Sequence, residues 1–243
     1  MELTVLGCSG SFSAPPAGPC SGYLVRHGST AIWMDCGNGT FAHLQEHVSV
    51  EDLDAVVITH EHPDHCVDVY GLHILLRYGM RRSGFPVLGP EGLEGHLGQL
   101  VDGDWGGTFS WNVIDDEAKT RVGEIDLRFS RTDHPPPTYA VEASAAGKRL
   151  VYTADTGPGW TIGAFGSGAD LVLSEATYLD GDAPDYPHLT AREAGLAARE
   201  AGAHRLILTH LWPGIDRRLV VAEGSEAFGD SVVLAAPHLT CRV

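Results

Sequence analysis

Apolar residues in this chain gather in short runs punctuated by Gly, Pro and Ser, a pattern that favours strands over long helices. Glu2 to Leu6, Gly22 to His27 and Ala31 to Asp35 predict strands joined by loops, the opening of an antiparallel-leaning sheet. Leu53-Asp54-Ala55-Val56-Val57-Ile58-Thr59 is apolar and β-branched and predicts a buried strand. Helical patches run from Phe41 to His47 and from Asp64 to Tyr78, and an amphipathic piece after Gly89 reaches Leu100 before a glycine-rich turn at Gly106-Gly107. Strands then predominate: Phe109 to Ile114, Glu124 to Ser130, Tyr139 to Ala143 and Leu150 to Ala154. The last third alternates, with Asp170 to Leu173 and Arg205 to Thr209 as strands and Ala191 to Glu200 as a helix. Two β-rich halves, each with helices and without a short repeat, predict an α/β fold in which two sheets are sandwiched between helices.

The 243 residues suffice for one α/β domain, and no linker divides them, so a single domain over 1–243 is expected. No apolar run approaches the ~20 residues that span a bilayer. The N-terminus has no basic stretch followed by a cleavable apolar segment, and a cytoplasmic, membrane-free protein is expected. Cys8, Cys20, Cys36, Cys66 and Cys241 are odd in number and lack a C-x-x-C pair, which argues against a disulfide framework. The formal net charge of -16 opposes a nucleic-acid polymer as partner, because such binding needs a basic field. A small anionic substrate remains compatible, since bound cations reverse the field inside a pocket.

Chemistry concentrates in Thr59-His60-Glu61-His62-Pro63-Asp64-His65, directly after the buried strand. In an extended segment residues two apart point the same way, so His60 and His62 can grip one ion. Beyond the bend at Pro63, Asp64 and His65 can hold a second, as nitrogen and oxygen donors suited to borderline-soft divalent metals. The plain alternative is a chance cluster with Asp64 capping the following helix. Open α/β sheets place their sites at strand C-termini, where this run lies. Two ions need more donors than the run contains, and His134, Asp155 and His210 also follow strand-like runs.

With these residues the chain resembles the metallo-β-lactamase-fold hydrolases, in particular the branch of ribonuclease Z and its shorter phosphodiesterase relatives. The resemblance covers nearly the whole chain. Besides His60-Glu61-His62-Pro63-Asp64-His65 it rests on Leu6-Gly7-Cys8-Ser9-Gly10-Ser11, Met34-Asp35-Cys36-Gly37-Asn38-Gly39, His134, Thr153-Ala154-Asp155-Thr156-Gly157, Ser174-Glu175-Ala176-Thr177, His188-Leu189-Thr190 and Thr209-His210. It implies a four-layer αβ/βα sandwich. It further implies His60, His62 and His134 on one metal, Asp64, His65 and His210 on the other, Asp155 bridging both, and Asp35 orienting a ligand from beneath. An imidazole at His62, where di-iron redox relatives commonly carry a carboxylate, favours zinc hydrolysis, with manganese or iron as alternative metals. Asp155 separates the chain from lactamases that use Cys near that point, and the short tail after His210 separates it from glyoxalase-type thioesterases with a C-terminal substrate domain. Only a compact strand pair is expected between His134 and Asp155, where transfer-RNA-processing relatives insert a basic arm. Ser174 stands where relatives often have His, and both departures argue against transfer-RNA cleavage.

The resulting expectation is a dinuclear zinc hydrolase of small phosphodiesters, with cyclic nucleotides as the first class to test. Two metals lower the pKa of a bridging water and orient it for in-line attack. Asp64, His188 and Glu175 are the candidate catalytic residues: His188 as general acid, since the resemblance faces it to the metals, and Glu175 as its orienting partner. A lactone or thioester hydrolase is the alternative enzyme, and a non-catalytic metal-binding interaction protein the alternative from another class. Ser9 and Ser11 either offer donors to substrate oxygens or form a tight turn. Arg77, Arg81 and Arg82 suit a helix C-terminus, and His27, His43, His47, His73, His96, His204 and His238 read as surface or core residues. Apolar residues around most of the Asp64 to Tyr78 helix predict burial on all sides, partly in a homodimer.

Overall fold

The computed structural model describes residues 1–101, 105–182 and 186–243. Strands β1 (Glu2–Gly7), β2 (Gly22–His27) and β3 (Thr30–Met34) pair antiparallel, and β4 (Ala55–Val57), β5 (Phe85–Pro90) and β6 (Phe109–Ile114) continue the sheet in parallel. The second sheet repeats the plan. Strands β7 (Lys119–Val122), β8 (Ile125–Arg131), β9 (Tyr139–Ala145) and β10 (Lys148–Tyr152) are antiparallel; β11 (Leu171–Glu175), β12 (Leu206–Thr209) and β13 (Val233–Leu234) follow in parallel. The final strand, β14 (Thr240–Arg242), returns to pair with β1 in the first sheet.

Burial on both faces explains the continuous apolar runs of the parallel strands. In β4, Ala55 and Val57 enter the core between the sheets, while Val56 faces the helices with Trp33, Leu72 and Leu76. Helices α1 (Thr40–Leu44), α2 (Pro63–Cys66), α3 (Val69–Ile74) and α4 (Leu93–Gly98) cover the outer face of the first sheet. Helices α5 (Ala191–Glu200) and α6 (Arg217–Phe228) cover the second, sharing a core with Val151, Val172 and Leu208. Three apolar cores between four layers make the αβ/βα sandwich that the sequence leads one to expect. No helix among the described residues is long and apolar enough to cross a membrane.

Two expectations need correction. The helix foreseen from Asp64 to Tyr78 is broken into α2, α3 and a π-turn at Leu75–Met80. Asp68 causes the break: its backbone N–H donates to the Cys36 carbonyl at 2.8 Å, and its carboxylate accepts the Phe41 N–H at 2.8 Å. Within a single chain Ile74 and Tyr78 of this segment are 53% and 65% exposed. The stretch after His210 is more than a tail, because it supplies α6 and one strand to each sheet. Strands β5 and β7 also go beyond the pattern reading, β5 because Pro86, Gly89 and Pro90 disguise a strand whose register with β6 runs from Phe85 to Pro90.

Helix α6 was hard to read because its buried positions are Val220, Gly224, Ala227 and Phe228, a stripe half made of small residues. Small residues are what the packing needs. A Cβ at Gly195 of α5 would lie 2.6 Å from the Gly224 carbonyl oxygen and 2.9 Å from the Ala227 Cβ. We expect Gly195→Ala to lower stability by about 1–3 kcal/mol, as overpacking does, although Ala is the better helix former by about 1 kcal/mol. Urea unfolding followed by circular dichroism checks this; a raised midpoint would mean that the two helices do not approach so closely.

Candidate metal centre

The C-terminal ends of strands from both sheets meet at one edge of the sandwich. Asp35 follows β3, the His motif follows β4, Asp155 follows β10, Glu175 ends β11 and His210 follows β12. Asp35, Ala154 and His210 have φ of 55°, 51° and 52°, a left-handed conformation unfavourable for side chains with a Cβ. Backbone strain of this kind persists where surrounding contacts over-determine it. Here they do: the buried Asp35 carboxylate accepts the Thr59 N–H at 2.8 Å and hydroxyl at 3.0 Å, the His65 Nδ1–H at 2.8 Å and the Tyr152 hydroxyl at 2.9 Å. Tight approach adds to this, because a Cβ at Gly37 would collide with the Asp64 carbonyl oxygen and one at Gly10 with the His210 ring.

All seven donors expected from the sequence are brought together, in two sets. In the first, His60 Nε2 lies 3.0 Å from His62 Nδ1, His134 Nε2 lies 3.3 Å from the same atom, and Asp155 Oδ2 is 3.6 Å from His60 Nε2. In the second, His210 Nε2 is 3.3 Å from Asp64 Oδ2 and 3.4 Å from Asp155 Oδ1, while His65 Nε2 is 3.3 Å from Asp155 Oδ1. Asp155 thus turns one oxygen to each set. Tetrahedral zinc with bonds of about 2.0–2.1 Å separates its donors by roughly 3.3 Å, so both sets have dimensions a divalent ion fits. The other ring nitrogens are held elsewhere: His65 Nδ1 by Asp35, His134 Nδ1 by the Pro187 carbonyl at 2.9 Å and His210 Nδ1 by the Thr177 hydroxyl at 2.8 Å. Such partners fix the tautomer and aim the free nitrogen. His65 Nε2 and Asp155 Oδ1 are buried and make no hydrogen bond, which is costly in a protein interior unless a cation satisfies them.

Electrostatics agrees with that fit. Burial, reinforced for His60 by His65, holds His60 well below the ordinary imidazole value, and burial likewise lowers His62 and His134. Neutral rings are the form that binds metal. Burial would raise Asp155 and Asp64, but the imidazoles outweigh it and hold both low: His210 and His65 for Asp155, His65 and His210 for Asp64. Burial opposes a proton on His65 as well, yet Asp155, Asp64 and Asp35 raise it well above the usual value. Three carboxylates around one ring demand a positive charge.

His188 stands beside both sets, its ring 4.9 Å from His134 and 5.2 Å from His210. Its Nδ1 lies 3.0 Å from the Glu175 carboxylate, leaving Nε2 as its free nitrogen. Glu175 is buried and also accepts the Thr156 N–H at 2.6 Å, the Thr177 hydroxyl at 2.8 Å and the Leu189 N–H at 3.1 Å. Desolvation disfavours charge on His188, but Glu175 outweighs it and raises the pKa to about 9.

Other sequence candidates fall differently. The Ser11 N–H donates to Asp64 Oδ2 at 2.7 Å and the Ser9 hydroxyl to the Phe12 carbonyl at 2.7 Å, so this loop braces a metal-site carboxylate. Arg82 reaches the Val50 and Leu53 carbonyls and covers the Phe85 ring, a structural role. His43, His47 and His238, read as separate residues, cluster with Glu46 at the surface: His47 Nε2 is 2.9 Å from His238 Nδ1, and His43 Nδ1 contacts the Leu6 carbonyl at 2.7 Å. Thr59, Tyr152 and Thr177, which orient the donors, were missed; only their places next to motif residues marked them. Ser174 is buried with its hydroxyl on the Glu175 carbonyl.

Comparison with known proteins adds kinship. A family model described as Beta-lactamase superfamily domain matches residues 30–211. The probable metallo-hydrolase YhfI of Bacillus subtilis (strain 168) is 33% identical over 213 residues, 87% of each chain. The crystal structure of YhfI superposes with a TM-score of 0.88 over 99% of this chain and 98% of that one, at 29% identity. A ribonuclease Z of Haloarcula marismortui is 26% identical over 303 residues, covering 100% of this chain and 97% of its own. A diphosphatase of the PhnP family shares the fold, with a TM-score of 0.80 over 100% and 97% of the two chains at 17% identity. The chain belongs to the beta-lactamase superfamily, and its fold is that of the family's metallo-hydrolases.

Proposed function

We propose that the protein is a dinuclear, zinc-dependent phosphodiesterase acting on small phosphodiesters, cyclic nucleotides first among them. The observation that carries this reading is the pair of donor sets sharing the two oxygens of Asp155, with the His188–Glu175 pair beside them. His60, His62 and His134 with Asp155 would hold one ion, and Asp64, His65 and His210 with Asp155 the other; zinc suits these donors best, with manganese or iron as alternatives. When bound, two such ions lower the pKa of water, orient it and offset charge on phosphoryl oxygens. The names of the ribonuclease Z and diphosphatase relatives point to phosphoryl substrates. The -16 charge and the compact β9–β10 hairpin between His134 and Asp155 favour a small anion over a nucleic-acid polymer.

His188 supplies the proton for the departing oxygen. With Nδ1 held by Glu175, its Nε2–H faces the donor cluster and passes its proton as the phosphorus–oxygen bond breaks. Asp64 would act as a metal ligand rather than a proton carrier, its carboxylate braced by the Ser11 N–H and set against His210 Nε2 in the second donor set. We also propose a homodimer formed through the face bearing Ile74 and Tyr78, whose exposed apolar surface supports it.

Purified protein should contain close to two transition-metal ions per chain and hydrolyse diesters in a panel that includes lactones and thioesters. Chelation and Asp155→Ala should each remove metal and turnover together; full metal content with activity in Asp155→Ala would sink the bridging role, and lactone or thioester turnover without diester turnover the substrate class. His188→Ala should keep both metals and slow alkoxide leaving groups by about 10²–10⁴-fold, but nitrophenolate far less. Equal losses would exclude proton donation. A proton held by Glu175 is present below the raised pKa of about 9 and lost above it. Bound cations pull this value down, so the alkaline limb of kcat should lie below 9, and Glu175→Gln should move it lower still. Light scattering should give twice the 25.9 kDa chain mass, reduced to one chain in Tyr78→Glu; wild-type protein that stays at 25.9 kDa would rule out the dimer.

A further inference from the structure

Next to the donor cluster a row of aromatic rings leads from His188 to the surface. The Tyr178 ring centroid lies 5.9 Å from that of His188 and stacks on Trp212 at 6.3 Å, with 26° between the planes. Trp212 meets Phe12 edge-on at 5.9 Å and 87°. Phe12 and Trp212 are 51% and 42% exposed, so this wall presents apolar ring surface to water. Every ring of the row is carried by a segment that also positions the Asp64 and His210 donors. Phe12 follows Ser11, whose N–H holds Asp64; Tyr178 follows Thr177, whose hydroxyl holds His210 Nδ1; Trp212 lies two residues beyond His210. The Phe12 and Trp212 loops are tied together by the Gly10 N–H on the Leu211 carbonyl at 2.9 Å.

We infer that the Tyr178–Trp212–Phe12 wall is the subsite that seats the base of a nucleotide substrate while its phosphodiester lies at the donor cluster. The inference rests on the phosphodiesterase reading and adds to it the recognition of the base. Stacking suits flat rings fixed on short loops: it accepts any base, since each has a π-face, and Trp and Tyr lose little side-chain entropy in making it. An acyl chain would be served as well by Leu or Val, with no reason to leave Phe12 and Trp212 open to water. The net charge of -16 favours a single nucleotide over a strand.

The experiment uses the metal-loaded protein and two substrates, a 3′,5′-cyclic nucleotide and the same cyclic ribose phosphate without its base. The expected preference in kcat/KM for the base-bearing compound is about ten- to a hundredfold, the range for stacking one base. Trp212→Leu should collapse that preference, and Trp212→Phe should retain most of it, because a ring rather than apolar bulk is required. Equal kcat/KM for the two compounds, or a preference that survives Trp212→Leu, would overturn the proposal. If protein carrying both metals cleaves neither compound, the phosphodiesterase reading fails on its own. Calorimetry with adenosine monophosphate and ribose 5-phosphate then still decides the subsite: tighter binding of the nucleotide that Trp212→Leu abolishes supports it, and equal binding refutes it.

Discussion

The buried carboxylate of Asp35 is the constraint on which the rest of this centre depends. It follows β3 of one sheet, takes the hydroxyl of Tyr152 from the other, and grips Thr59 and His65 at the two ends of the His motif. A carboxylate removed from water is costly unless several donors satisfy it. Asp35 meets that condition only when both sheets and the motif loop are in register. The same contacts accommodate the left-handed backbone at Asp35 and give His65 one free nitrogen, facing Asp155. Fold and site are therefore stabilised by one set of bonds.

From this arrangement comes a division of labour between two kinds of buried charge. Asp155, Asp64 and Asp35 concentrate negative charge around His65 and His210, which prepares the cluster for cations. Glu175 lies one layer further out and acts on His188, where it favours a proton. Two carboxylates of similar burial thus serve opposite ends because of their neighbours: Asp155 turns its two oxygens to ring nitrogens of both donor sets, and Glu175 holds Nδ1 of a single histidine beside them. Thr177 joins the two systems, since its hydroxyl contacts both Glu175 and His210.

The loops that hold this chemistry do so by close backbone approach as much as by hydrogen bonds. Gly10 admits the His210 ring and Gly37 the Asp64 carbonyl, places where any Cβ would push a donor aside. Away from the site the same device recurs between α5 and α6, where Gly195 and Gly224 let two helices touch. Close packing behind the centre thus contrasts with the rings of Phe12 and Trp212 beside it, which are open to water.

Much of this was legible in the chain. Short apolar runs identified most strands of the two sheets, because strands buried on both faces must be apolar throughout. Donor residues were legible because each follows such a run, and the backbone direction of parallel strands delivers all their C-terminal ends to one edge. What the chain alone left undecided depended on partners distant in sequence. Asp68 breaks a helix only because Cys36 and Phe41 lie against it; α6 packs through Gly224 only because Gly195 faces it; and β5 is a strand because β4 and β6 pair with it despite its prolines. Likewise Thr177, Tyr152 and the aromatic row gain meaning only from what they touch. Periodicity and spacing record what a residue needs from its own segment, whereas hydrogen-bond partners and ring contacts across a hundred residues are decided by tertiary packing alone.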